Sequence, residues 1–188
     1  RWTKRETTGT NAVLAVENGW YIGARKVMHE QVWLRTSAAS AQGRNIDVEL
    51  FWLVLDRPIT LQGAEGKSYG GLTLRFAPRT STVITTTLGN GPKDLPITRL
   101  PWADLSAQFA GRRDTSGAAI LIAPDHPDYP PEWLTRHYGV LCVGWPGVNG
   151  RMFQPRETIH LRYRVWIHRG APGGDMLKQM YRAYARER

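Results

Sequence analysis

The last apolar run of the chain, residues 158–168, alternates strictly between two kinds of side chain. One face of an extended strand would carry its apolar members, Ile159, Leu161, Tyr163, Val165 and Ile167. The other face would carry its basic and aromatic members, His160, Arg162, Arg164, Trp166 and His168. This two-residue period is that of a strand and not of a helix. We therefore predict a sheet with one face in a core and a second face that is solvated or partly covered, although arginines beside aromatic rings could also stack on bases or sugars.

Comparable runs, separated by turn residues, predict about nine strands along the chain. Asn18-Gly19 is expected to form a two-residue hairpin turn, because both residues tolerate positive φ. The pattern lacks the crossover helices that a parallel sheet needs. It also lacks repeats and linkers. We therefore predict an all-β fold, an antiparallel β-sandwich that forms a single domain over residues 1–188.

Only the end of the chain has a helical period, which predicts one C-terminal α-helix near residues 175–187. Asp175 is the predicted N-cap. The helix should pack across the sandwich or close one end of it. Four apolar or aromatic residues recur on one face of this helix and are expected to be core residues: Leu177, Met180, Tyr181 and Tyr184.

The net charge of +9 is spread along the chain rather than gathered into blocks. Spread charge is typical of a solvated surface, and no nucleic-acid-binding motif accompanies it, so we expect no nucleic-acid partner. No run approaches the roughly 18 to 20 apolar residues of a membrane-spanning helix. We therefore expect a soluble protein that is not bound to a membrane, in either the cytoplasm or the periplasm.

Two stretches carry more polar chemistry than a turn requires. Residues 63–75 place Glu65 among glycines and Arg75 at the end of a strand. A carboxylate in such a loop could act as a general base, or it could simply be solvated. Residues 100–109 place Trp102 two positions before Asp104. An aromatic plate beside a carboxylate suits a sugar ring, and it equally suits a buried tryptophan.

A third stretch, APDHPDYPPEWLTRHYG at residues 123–139, is rich in proline, histidine and acidic residues. Its prolines fix φ, so we expect a stiff loop that forms one wall of a cleft. His126 and His137, with Asp125 or Asp128, offer metal-ligating side chains. Their spacing matches no compact ligand motif, so we predict neither a metal nor another cofactor.

Five segments resemble, in the same order, a family of soluble bacterial proteins described as methane oxygenase PmoA-like. They are NIDVEL, EGKSYGGLTLR, PWADLSA, HPDYPPEWLTRHYGV and ETIHLRYRVWIHRG. The resemblance implies a sandwich of the sugar-mutarotase type that acts in carbohydrate metabolism. It also implies a histidine-rich segment upstream of Arg1. The sequence departs from the family at Leu134, where the family has histidine. A particulate methane monooxygenase subunit spans a membrane, so the label does not describe the chemistry expected here.

The resemblance implies a site that binds a carbohydrate or another small polar ligand. In an enzyme, Glu65 would be the base and His126 the acid in proton transfer on a sugar. The substrate-binding residues would be Arg75, Trp102, Asp104, Trp133, Arg136, His137 and Tyr138.

Two other functions fit the same residues. The first is a non-catalytic glycan-binding or interaction module, with exposed tryptophans in a row. The second is a metal-dependent oxidoreductase that uses His126, His137 and an aspartate. In any of these cases, exposed sheet edges would permit a homodimer.

Overall fold

The computed structural model describes residues 1–64 and 66–187 of the chain. These residues form fifteen β-strands and one α-helix, and every strand pair is antiparallel. The long strands have these bounds: β1 Trp2–Thr8, β2 Asn11–Ile22, β3 Arg25–Thr36, β4 Gly43–Val54, β7 Arg79–Thr86, β10 Trp102–Phe109, β11 Thr115–Ile122 and β15 Thr158–Arg169. The short strands are β5 Ile59–Leu61, β6 Thr73–Arg75, β8 Gly89–Asn90, β9 Thr98–Arg99, β12 Glu132–Arg136, β13 Val140–Val143 and β14 Arg151–Phe153. The helix α1 is Gly174–Arg186.

The strands form one large sheet and two small ones. The large sheet has nine strands in the order β1-β2-β3-β4-β15-β11-β10-β7-β8. A four-stranded sheet has the order β6-β13-β12-β9, and β14 pairs with β5. The main core joins residues of the large sheet, such as Leu105, Ile120 and Leu161, to Trp133 and Leu141 of the four-stranded sheet. The predicted antiparallel all-β fold with one C-terminal helix is therefore confirmed.

The two faces of the large sheet have different covers. Its inner face lies against the small sheets, because the inward side chains of β15 belong to the main core. Its outer face is partly covered by α1, where Leu177 and Tyr184 pack on Trp102 and Trp166. The outward face of β15 was expected to be solvated or partly covered, and Trp166 and His168 are buried there. Contact with α1 removes Trp166 from solvent.

The apolar face predicted for the helix is confirmed, but the predicted N-cap is wrong. Leu177 and Tyr184 are buried, and Met180 and Tyr181 pack against the same cluster. The N-cap position is Gly173, which makes no side-chain capping hydrogen bond. Asp175 lies instead in the first turn, where a carboxylate still interacts favourably with the positive end of the helix dipole.

The predicted hairpin turn at Asn18-Gly19 is also wrong. Strand β2 continues through both residues, and the turn follows Ile22. Gly23 has a φ of +59°, so it supplies the left-handed conformation that the tight turn needs. Asn18 is held in the strand because its side-chain amide donates a hydrogen bond to Glu30 on β3.

Two segments that were interpreted from their polar residues are strands in the structure. Residues 102–109 form β10 in the middle of the large sheet, and residues 132–136 form β12 in the four-stranded sheet. The stretch 123–139 is therefore not a single loop, because β12 occupies its second half. No helix among the described residues is long and apolar enough to cross a membrane.

Candidate functional site

The predicted site residues do not meet in one cleft. Glu65 lies outside the described residues. Trp102 and Asp104 lie on the outer face of β10, and both are buried. The Asp104 carboxyl group contacts His168 Nε2 at 2.7 Å and accepts a hydrogen bond from Ser106 Oγ at 2.8 Å. Trp102 packs under α1. Asp104 is not accessible to a sugar, and Trp102 is only 3% exposed, where it lines a separate cavity beside α1.

His126 and Trp133 belong to the interior near the start of β12. Trp133 is fully buried, and its indole N–H donates to the carbonyl of Leu100 at 2.7 Å. His126 is only 4% exposed. Burial lowers the pKa of His126 to about 4, although the nearby carboxylates of Asp125 and Asp128 act in the opposite direction. The predicted acid is therefore a neutral buried histidine at neutral pH.

The remaining four residues lie at the other end of β12. Tyr138 is exposed, and its hydroxyl lies 3.1 Å from that of Tyr69. His137 Nδ1 contacts the Asp94 carboxylate at 2.8 Å, and Arg136 lies 3.9 Å from the same group. Arg75 ends β6, opposite Val140 on β13. The length of β12 separates this group from His126, and the large sheet separates it from Asp104. This is why one cleft does not form.

The structure instead brings a set of charged side chains together on the outer face of the large sheet. We call this region the outer groove; it combines a cavity of about 560 Å³ with an adjoining cavity of about 380 Å³. Arg162, Tyr184 and Glu187 line both cavities. The first cavity also contains Asp125 and His160. The second also contains Arg35, Asp47, Glu49 and Arg164.

The arrangement of the outer groove follows from the pairing of β15 with β4. This pairing places Arg162 opposite Glu49 and Arg164 opposite Asp47 on the same face. The next strand, β3, places Arg35 beside Asp47. Opposite charges in neighbouring strands stabilise this pairing modestly. The alternation of the two sequences therefore produces a lattice of donors and acceptors across three strands.

Two of the arginines are engaged to different extents. Arg164 makes four hydrogen bonds to Asp47 and Glu187, at 2.6 to 3.0 Å, so it fixes the end of α1 to the sheet. Arg162 donates only to Asp125 among the described residues, through Nη2 at 2.6 Å. Because Asp125 is half exposed, this bond is open to exchange with a ligand. Arg162 therefore retains donor capacity in the groove.

Glu49 is the central acceptor of the outer groove. It accepts a hydrogen bond from Arg35 and contacts His160 Nε2 at 2.8 Å. Burial would raise the pKa of Glu49, but the hydrogen bonds from Arg35 and His160 hold it below its usual range. The His160 ring stacks on Phe51, with 4.2 Å between the ring centroids and an interplanar angle of 9°. Phe51 is 38% exposed, so an aromatic surface adjoins the charged lattice.

The described residues contain no group of three or more His, Cys, Asp or Glu side chains arranged to hold a metal ion. His126 and His137 lie near opposite ends of β12, so they do not form the pair that a shared metal would need. The metal-dependent hypothesis therefore has no ligand set in this part of the chain.

Residues 1–182 match the sequence pattern of DUF6807, a family of unknown function. The chain belongs to the DUF6807 family. No curated protein and no solved structure matches it.

The sequence contained an indication of the outer groove. The alternation in residues 158–168 placed His160, Arg162 and Arg164 on one face, and NIDVEL placed Asp47 and Glu49 on one face. The first of these faces was expected to be solvated or partly covered. The local pattern does not show that β4 and β15 are neighbours, because their residues are more than a hundred positions apart.

Proposed function

We propose that the protein is a carbohydrate-binding protein and that the outer groove is its binding site. The observation that carries this proposal is the lattice of paired donors and acceptors that lines the outer groove, whose larger cavity has a volume of about 560 Å³. This volume lies within the range of small-molecule sites. Sugar hydroxyls both donate and accept, so they can bind between an arginine and a carboxylate.

The charges of the groove favour a neutral ligand over a strongly charged one. The guanidinium groups of Arg35, Arg162 and Arg164 face the carboxylates of Asp47, Glu49, Asp125 and Glu187. These opposite charges nearly balance, so an ion would gain little from the summed field. A polyhydroxyl ligand can instead replace water at several pairs at once. The exposed ring of Phe51 supplies an apolar surface for the C–H face of a sugar.

The geometry favours binding over acid–base catalysis. Glu49 and His160 are the central titratable pair, but their side chains contact each other at 2.8 Å. Paired carboxylates that act on a glycosidic bond stand about 5 to 9.5 Å apart, because the reacting bond lies between them. His126 is buried and does not line the groove. The resemblance to proteins of carbohydrate metabolism supports the ligand class and does not specify a reaction.

Replacement of Arg162 by glutamine should weaken sugar binding at least about tenfold, because it removes the charged donor at the centre of the groove. A panel of neutral mono- and disaccharides would be titrated against the isotope-labelled protein, with affinities taken from amide chemical shifts. Arg169→Gln is the matched control, since Arg169 is on the same strand but on the opposite face. Its affinity should remain within twofold of the wild type.

Two results would contradict the proposal. The first is a wild-type protein that binds no sugar of the panel. The second is an equal loss of affinity in the Arg162 and Arg169 variants. Salt dependence separates the proposal from nucleic-acid binding, because affinity for a neutral sugar should hardly change with salt, whereas binding to phosphates falls steeply.

A further inference from the structure

A second groove lies on the inner side of the large sheet, where the two main sheets separate. It has a volume of about 440 Å³, and most of its lining is apolar. We call it the inner groove; its main apolar residues are Ile46, Leu74, Phe76, Phe109, Val165 and Ile167. Phe76 and Phe109 stack on each other with 6.3 Å between their centroids. Of the described residues, Val48 alone lines both this groove and the outer groove.

The inner groove exists because the four-stranded sheet does not extend along the whole of β15. Its edge strand β6 contains only three residues. Along the inward face of β15, Ile159 and Leu161 are buried, but Ile167 is 43% exposed. Apolar side chains that would normally lie in the core therefore face solvent at this end of the sandwich. A well-formed apolar cavity of this kind is a typical ligand site.

The mouth of the inner groove is basic. Arg75 lines the groove itself. Arg44 pairs in register with Ile167, and Arg169 pairs with Ser116, so both are on the same face as the lining residues. All three arginines are exposed. None of them forms an ion pair with another described residue, and no described carboxylate lines the groove.

We propose that the inner groove binds a fatty-acid-like ligand, with the hydrocarbon chain along Val165 and Ile167 and the carboxylate at the arginines of the mouth. Each methylene group that is buried against the apolar lining raises the affinity by at most about fourfold. The guanidinium groups match a carboxylate in charge and in geometry. A neutral sugar would leave the arginines without a partner, and a cation would be repelled by them.

Dodecanoate is a suitable probe below the concentration at which it forms micelles, with binding followed by calorimetry on the whole chain. We expect one site per chain and at least about tenfold tighter binding than for octanoate, because four more methylene groups are buried. Ile167→Asp should weaken dodecanoate binding at least tenfold, because it places a carboxylate in the groove. Leu88→Asp is the matched control, since Leu88 is also an exposed aliphatic residue, at 72%, and does not line the groove.

Arg75→Gln tests the basic mouth separately from the apolar lining. This variant should weaken the binding of dodecanoate about fivefold or more. Its affinity for dodecanol should stay within twofold of the wild type, because the alcohol carries no charge. Arg75 is exposed, so its replacement should leave the fold intact. The circular dichroism spectrum and the melting temperature of each variant would verify this.

Several results would overturn the proposal. One is the absence of saturable dodecanoate binding, and another is an equal affinity for octanoate and dodecanoate. A third is an equal loss of dodecanoate affinity in the Ile167→Asp and Leu88→Asp variants. A dimer of the wild type that Ile167→Asp dissociates, in the absence of dodecanoate binding, would show that a second copy occupies the groove instead. The sugar titration addresses a different face, so each proposal can fail alone.

Discussion

Replacement of His168 by leucine should lower the free energy of unfolding by about 3 kcal/mol. The side chains of His168 and Asp104 are completely buried, with Nε2 2.7 Å from the Asp104 carboxyl group. Leucine fills a similar volume but offers no hydrogen bond, so one buried carboxyl oxygen would lose its partner. The second oxygen would keep Ser106. Urea unfolding at neutral pH would measure the loss.

Two further variants show whether the effect comes from the lost polar contact. His160→Leu removes a histidine–carboxylate contact at the surface and should cost less than about 1 kcal/mol. The double variant Asp104→Leu/His168→Leu removes both buried partners, so it should be more stable than His168→Leu alone. A double variant that is less stable than the single one would show that packing, and not the orphaned carboxyl group, dominates the loss.

The buried position of Asp104 also shows why the sequence predicted the wrong site. A tryptophan and an aspartate two positions apart indicate an exposed sugar-binding pair as readily as a buried one. The difference depends on α1, which follows β10 by more than sixty residues and covers Trp102. No local pattern contains that information. The same holds for His126, which is buried by Trp145 and Tyr163 from distant parts of the chain.

The fold itself was largely predictable because two-residue alternation is a local property. The long strand β15 and the apolar face of α1 were both recognised from their periods. The stretch that forms β10 was interpreted as a candidate site from its polar residues, although every residue from Trp102 to Ala107 is buried. Buried polar groups with internal partners break the alternation of hydrophobicity. The order of strands in the large sheet depends on pairing between distant segments, and these partners cannot be inferred from a single sequence.

The two grooves follow from one structural fact, the unequal size of the sheets. Nine strands on one side face small sheets of four and two strands on the other, which leaves part of the inner face without a cover. The outer face receives only a 13-residue helix, so the charged part of β15 and β4 remains open beside it. A large sheet that is only partly covered on both faces can hold two ligands of different chemistry. The polar and apolar linings of the grooves fit a sugar and a fatty acid, respectively.

The stability of the protein should fall by about 3 kcal/mol between neutral pH and pH 4 because of His126 alone. Burial lowers the pKa of this histidine from 6.5 to about 4 in the folded protein. Between these two values the unfolded chain binds a proton that the folded chain does not. Unfolding is therefore favoured as the pH falls through this window, and the contribution is complete near pH 4. Protonation would also place a second N–H against the backbone N–H of Asp128, which now donates to Nδ1 at 3.2 Å.

The variant His126→Gln isolates this contribution. Glutamine can still accept the hydrogen bond from Asp128 but does not titrate, so the variant should lose less stability than the wild type between pH 6.5 and pH 4. Urea unfolding curves at several pH values would give the free energy for both proteins. Their difference should change by about 3 kcal/mol across the window and stay constant above pH 7. Parallel pH profiles would mean that His126 has the same pKa in the folded and the unfolded chain, which its burial against Trp145 and Tyr163 opposes.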